Sequence, residues 1–161
     1  MTRLLIGALS LFIFSACNVK QAIPPTSHPD TSGWPLLFQD DLSNATFPDG
    51  IWTMTDGILT ASEDQNIWTN REYDNYILDL EFKTEDGTNS GVVVYCSDKK
   101  NWIPNSVEIQ IADDYAEKWA ESHPTWQCAA FFGRKAASKR TVKHPGEWNR
   151  FTITCKDNMI W

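Results

Sequence analysis

The sequence predicts an all-β domain: a two-sheet antiparallel jelly-roll sandwich with one short helical insertion. Three observations predict it. Several short segments alternate strictly between apolar and polar residues, the period of a strand wet on one face. Turn residues separate these segments at short intervals. Only one stretch carries a helical pattern. An immunoglobulin-like sandwich and an up-and-down barrel stay open beside the jelly roll. With eight Trp and eight Phe in 161 residues, the chain can bury enough apolar surface for one core, which excludes disorder as its main state. A net charge of −7 excludes binding of nucleic acid through its phosphates, which needs a basic face.

From the N-terminus, Arg3 precedes an eleven-residue apolar run over positions 4–14. That run is too short to span a bilayer, which takes ~20 residues, and residues 1–16 read as a secretory signal. Ser15 and Ala16 before Cys17 resemble the lipobox of bacterial lipoproteins, in which the cysteine is diacylated and becomes the mature N-terminus, although Phe14 stands where Leu is commoner. The expectation is an exported, membrane-anchored lipoprotein facing the periplasm or the cell surface. Residues 17–32 carry Pro24, Pro25 and Pro29 without apolar periodicity, as a flexible tether does, which places the folded domain at 33–161. Cys96, Cys128 and Cys155 allow at most one disulfide in an exported chain, and small buried thiols fit equally well.

Within the domain the clearest strand is 76–83, where Leu78, Leu80 and Phe82 alternate with Asp79, Glu81 and Lys83. Val107, Ile109 and Ile111 alternate with Glu108 and Gln110, and Phe151, Ile153 and Cys155 with Arg150, Thr152 and Thr154. Further strands are predicted over 36–42, 51–54, 58–60 after the Asp56-Gly57 turn, 67–69 and 92–95. The helical stretch is 113–121, opened by two carboxylates and stopped by Pro124. The chain ends at Trp161 inside what reads as the second strand of a hairpin, so the last strands of the sandwich are expected to be missing.

Several motifs in order resemble the 3-keto-disaccharide hydrolase family. They are Asp56-Gly57-Ile58-Leu59, Trp68-Thr69 with Tyr73 and Asp74, Leu80-Glu81-Phe82, Asn89-Ser90-Gly91-Val92, Glu108-Ile109-Gln110-Ile111, Phe131-Phe132-Gly133 and Gly146-Glu147-Trp148-Asn149. The resemblance implies a concanavalin-like jelly roll in an exported bacterial protein that cleaves glycosides already oxidised at C3. The 3-keto group acidifies the C2 hydrogen; a base removes it, the glycosidic oxygen leaves C1, and water adds to the enone. Two departures stand out: a long segment over 113–127, and an end before the family's usual final strands.

Glu108 is the first candidate for the base, with Gln110 beside it as a sugar ligand, because alternation puts both on the face opposite Val107, Ile109 and Ile111. A solvated carboxylate and amide are the plain alternative. Asp113 and Asp114 complete a carboxylate cluster or bind a hard cation, or else cap the helix. His123 has a near-neutral intrinsic pKa and is a candidate acid or base, or a loop histidine. Glu81 is a candidate substrate ligand or a surface charge, and Lys135 or Lys143 a cation for the enolate oxygen or part of a solvated basic run. Trp102, Trp126 and Trp148 are candidate stacking platforms, whereas Trp34 and Trp52 read as core. No cofactor is indicated, and a divalent cation stays open. The expected partner is a 3-keto mono- or disaccharide glycoside, and the rival reading is a noncatalytic carbohydrate-binding lipoprotein.

Overall fold

The computed structural model describes residues 27–161. The signal, the lipobox with Cys17 and residues 18–26 of the tether lie outside the described residues. Within them nine strands pair, all antiparallel. β1 (Ala45–Thr46) pairs with β4 (Trp68–Thr69) and β2 (Trp52–Thr55) with β3 (Ile58–Ala61). β5 (Tyr76–Lys83) pairs with β8 (Trp148–Lys156), which also pairs with β9 (Met159–Ile160), and β6 (Asn89–Val94) pairs with β7 (Val107–Ala112).

The alternating residues explain why the two larger sheets meet. Val94, Ile109, Ile153 and Cys155 form the buried centre, and Leu78, Leu80, Val92, Val107 and Phe151 pack around it. One layer is therefore β5–β8–β9 and the other β6–β7, the face-to-face arrangement of a jelly-roll sandwich. Each fully buried aliphatic side chain contributes about 1.5–3 kcal/mol relative to exposure. The polar members of β5 and β8 share the outer face. There Arg150 Nε donates to Asp79 Oδ1 at 2.8 Å, and the Thr152 hydroxyl donates to Asp79 Oδ2 at 2.5 Å. The chain entering the domain lies on this face, with Arg150 Nη2 donating to the Pro29 carbonyl at 3.0 Å and His28 Nδ1 2.7 Å from Thr152 Oγ1.

Most of the anticipated strands are present, and the turn at Asp56-Gly57 has φ of 50° and 75°, the paired positive values of a tight hairpin. Three expectations are corrected. Residues 36–42 form no strand; Leu42 takes φ 54°, and the Asn44 side chain ties Gln39 N and the Leu37 carbonyl into a turn. The helix contracts to α1 (Glu117–Ala120), whose N-cap is Ala116 without a side-chain bond, because both aspartates before it are committed elsewhere. Trp34 is exposed rather than core. Cys96, Cys128 and Cys155 are free thiols, and burial pushes the Cys128 thiol up to about 11.

Candidate functional site

The face of β6–β7 turned away from the core is built from alternate register pairs. Val93 stands opposite Glu108, and Gly91 stands opposite Gln110. The next pair, Asn89 with Ala112, lies on the same face because side chains repeat every second residue. Gln110, 1% exposed, donates from Nε2 to Asn89 Oδ1 at 2.8 Å. That bond gives the buried amide a polar partner. On the free edge of β7 the main chain of 129–132 adds a further rung. Gln110 N donates to the Ala130 carbonyl, Ala129 N to the Gln110 carbonyl, and Phe132 N to the Glu108 carbonyl. Two residues oppose one there, with Ala129 at φ 65°, which is the pattern of a bulge that pins an edge.

Glu108 is half-buried and does not stand off the sheet. Its side chain folds diagonally over Gly91: a Cβ at position 91 would lie 2.4 Å from Oε1, 2.7 Å from Cγ and 2.9 Å from Cδ. Burial first, and then the negative charge of Asp64, push the Glu108 carboxyl above its ordinary value. Both causes disfavour the charged form. Asp64 belongs to the loop after β3 and was not singled out in the sequence, because only the fold brings that loop toward β7. Close to the Glu108 rung, Trp126 is 46% exposed and stacks on Phe132 with centroids 5.8 Å apart. A half-exposed indole can take the apolar face of a sugar ring.

The other candidate residues are placed apart from this face or are already engaged. Asp113, 2% exposed, accepts Gly87 N at Oδ2 and Tyr115 N at Oδ1, both at 3.0 Å. Asp114 accepts Cys128 N at Oδ1, 2.9 Å, with Arg140 Nε 3.8 Å from Oδ2. These carboxylates tie the loop after β5 and the segment after α1 to the end of β7, so the helix-cap reading is corrected. Burial pushes Asp114 upward, while the Cys128 bond and Arg140 oppose the shift. Among the described residues no three His, Cys, Asp or Glu side chains converge as metal ligands would. His123 is exposed and caps the short 3-10 turn Pro124–Trp126, its Nδ1 accepting from Thr125 N at 3.3 Å.

Glu81 and Trp148 meet on the opposite sheet, where Lys143, Arg150 and Phe82 help to line a depression of about 360 Å³. Lys83 Nζ sits 5.2 Å over the Trp148 ring, and Lys143 Nζ donates to the Trp148 carbonyl at 2.8 Å. Lys135 is exposed, its main chain paired with Phe131. Trp102 is half-buried and its carbonyl accepts from Ser106 Oγ. A second depression, about 380 Å³, contains Asp86, Asp113, Tyr115 and His144, with the His144 ring stacked on Tyr115 at 3.7 Å. Neither depression includes Glu108. The β6–β7 face is nonetheless the better chemical site, because there a carboxylate with a shifted pKa adjoins a satisfied amide pair and an exposed aromatic.

Residues 28–161 match the family described as a 3-keto-alpha-glucoside-1,2-lyase-like domain. A crystal structure of a candidate glycosyl hydrolase from Parabacteroides distasonis ATCC 8503 superposes with a TM-score of 0.74 at 54% identity, covering 77% of this chain and 64% of that one. A second candidate glycosyl hydrolase from the same organism shares the fold at 22% identity and a TM-score of 0.56, covering 68% of this chain and 56% of the other. The chain thus spans a little under two thirds of the more similar solved protein. No curated protein matches it.

Proposed function

Because the chain belongs to the 3-keto-alpha-glucoside-1,2-lyase-like domain family, we propose that it cleaves glycosidic bonds, and that its substrate is a glycoside carrying a 3-keto group. The observation that supports this is Glu108, a carboxylate half-buried over Gly91 and raised above its ordinary pKa by burial and Asp64. A raised carboxylate is a stronger base once deprotonated and is suited to taking a proton from carbon. The C2–H of a 3-keto sugar is acidic because its conjugate base delocalises onto the C3 oxygen. Glu108 takes that proton, the C2–C3 enolate expels the C1 oxygen as the aglycone alcohol or alkoxide, and a C1–C2 enone remains. Water then adds its oxygen to C1 while a proton returns to C2, so the sum is hydrolysis. The Asn89 amide, held by Gln110 through its oxygen, keeps its nitrogen as a donor for a sugar hydroxyl or the enolate oxygen.

The test compares release of a chromogenic aglycone from a 3-keto glucoside and from the unoxidised glucoside. Release from the keto substrate alone, lost by at least 100-fold in Glu108→Gln, is expected. Full turnover by Glu108→Gln removes Glu108 from the chemistry. Release from both glycosides replaces elimination by an ordinary glycosidase route. The exposed Trp126, stacked on Phe132, also suits a noncatalytic sugar-binding module; sugar binding by a folded protein that turns over neither substrate would select that reading. On the sequence of residues 1–17 we further propose export and lipid attachment at Cys17, which the mass of the mature protein tests.

A further inference from the structure

We infer that Gly91 is a positioning residue for Glu108: the missing side chain at 91 is the slot that holds the carboxylate down on the β6–β7 face. The inference rests on the proposed role of Glu108 as base and adds the residue that sets its place. In an antiparallel pair, diagonal neighbours lie ~7–8 Å apart, and side chains on a strand stand roughly perpendicular to the sheet. Glu108 departs from that pattern. Its direct partner is Val93, yet Cγ, Cδ and Oε1 all crowd the space a Cβ would fill at 91. A β-branched or even a methyl-bearing residue would compel the carboxylate to rise off the face.

Nothing in the backbone of Gly91 demands a glycine. Its φ is not in the left-handed region, and glycine inside a strand weakens it relative to a residue with a side chain. The contact that explains the glycine is therefore the one across the ladder. Oε1 would stand 2.4 Å from an added Cβ, where ordinary contact begins at 3.4 Å, so alanine must displace the carboxylate by about 1 Å. Misplacement of a catalytic group by ~1 Å costs on the order of 100-fold in rate. The same displacement moves the carboxylate toward water. That lowers its pKa toward the ordinary value, so the acidic limb of the rate profile shifts to lower pH.

The experiment follows Gly91→Ala in three readouts on the intact chain: unfolding temperature, kcat and KM with the 3-keto glucoside across pH, and the titration of the Glu108 side-chain carboxyl by carbon NMR, with Glu108→Gln identifying the resonance. A folded Gly91→Ala with kcat about 100-fold lower, KM little changed, and a Glu108 titration moved to lower pH is expected. Adding Gly91→Ala to Glu108→Gln should then cost little more. If Gly91→Ala keeps wild-type kcat and titration while Glu108→Gln is inactive, the slot is refuted and Glu108 stands as base. If Glu108→Gln is fully active, the catalytic reading fails, and the titration alone decides whether Gly91 holds the carboxylate. Should Gly91→Ala not fold, adding Glu108→Ala must restore folding; failure to do so overturns the inference.

Discussion

Replacing Asp114 separates a structural carboxylate from a catalytic one, and the structure gives the size of each effect. The side chain is 2% exposed, and Oδ1 is the acceptor for the buried Cys128 N–H at 2.9 Å. Asp114→Ala leaves that N–H unpaired, at a cost of about 1–3 kcal/mol. For a domain of this size ~2 kcal/mol lowers Tm by roughly 4–8 °C. Asp114→Asn keeps an oxygen for Cys128 and gives up only the charge. The pairing charge, Arg140, is 3.8 Å away on a side chain 46% exposed, so its attraction is screened and worth under ~1 kcal/mol. Against it stands burial, the leading cause that raises the Asp114 pKa. A carboxyl raised in the folded state favours folding most below its unfolded value of 3.8, and that contribution is lost as pH rises through the folded value. Asp114→Asn should therefore equal or exceed wild-type stability at pH 7, with the difference closing below about pH 4. Urea unfolding at pH 7 and pH 3.5, with turnover measured in parallel, reads all of this. Wild-type stability in Asp114→Ala refutes the bracing role. Equal damage in Asp114→Asn would mean that the Arg140 pairing dominates, and loss of turnover without loss of stability would return Asp114 to the chemistry.

Two further outcomes follow from buried polar groups elsewhere. Arg150→Ala strands Asp79, whose side chain is 7% exposed, and should cost about 2 kcal/mol, below the 3–5 of a fully buried pair because Arg150 is itself partly solvated. Limited proteolysis should at the same time cut faster near residues 28–30, since Arg150 also holds the Pro29 carbonyl; unchanged cleavage would show that the entering chain is held by other contacts. Thr84 is fully buried with no partner for its hydroxyl among the described residues. Thr84→Val should be neutral or stabilise by up to ~1 kcal/mol in thermal unfolding, and clear destabilisation would mean that the hydroxyl is satisfied.

The legible parts of the fold were those in which one residue's neighbours along the chain reveal its environment. The alternation over 76–83 and 107–111 gave β5 and β7, and a two-residue turn gave the β2–β3 hairpin, because strand period and turn chemistry are local. Residues 36–42 were misread for the same reason: their apolar content is local, but the Asn44 bracket that bends them lies beyond the window. For Asp113 and Asp114 the sequence left a carboxylate cluster, a cation site and helix capping open, and what decides is that Gly87 N and Cys128 N, 26 and 14 residues away, claim their oxygens. Propensity was outweighed by nonlocal hydrogen bonds.

The carboxylates Glu81 and Glu108 show what a periodic pattern leaves undecided. Both alternate outward on an antiparallel strand, and sequence reasoning put both at the site. In the ladder Glu81 stands opposite Arg150 on a polar outer face and is exposed, and that guanidinium is taken by Asp79 and the Pro29 carbonyl. Glu108 faces Val93, leans over Gly91 and meets the charge of Asp64, so its charge is opposed from two sides. The distinguishing residue was present in the sequence as a glycine inside the run Asn89-Ser90-Gly91-Val92, a position at which strand propensity argues for a side chain. A glycine there signals close approach by something else, and the group that fills the space is Glu108, the diagonal neighbour on β7. Chemistry at this face thus depends on a register shared by two strands, and a slip of β6 by one residue would turn Val92 to the site, close the slot and send Glu108 into solvent.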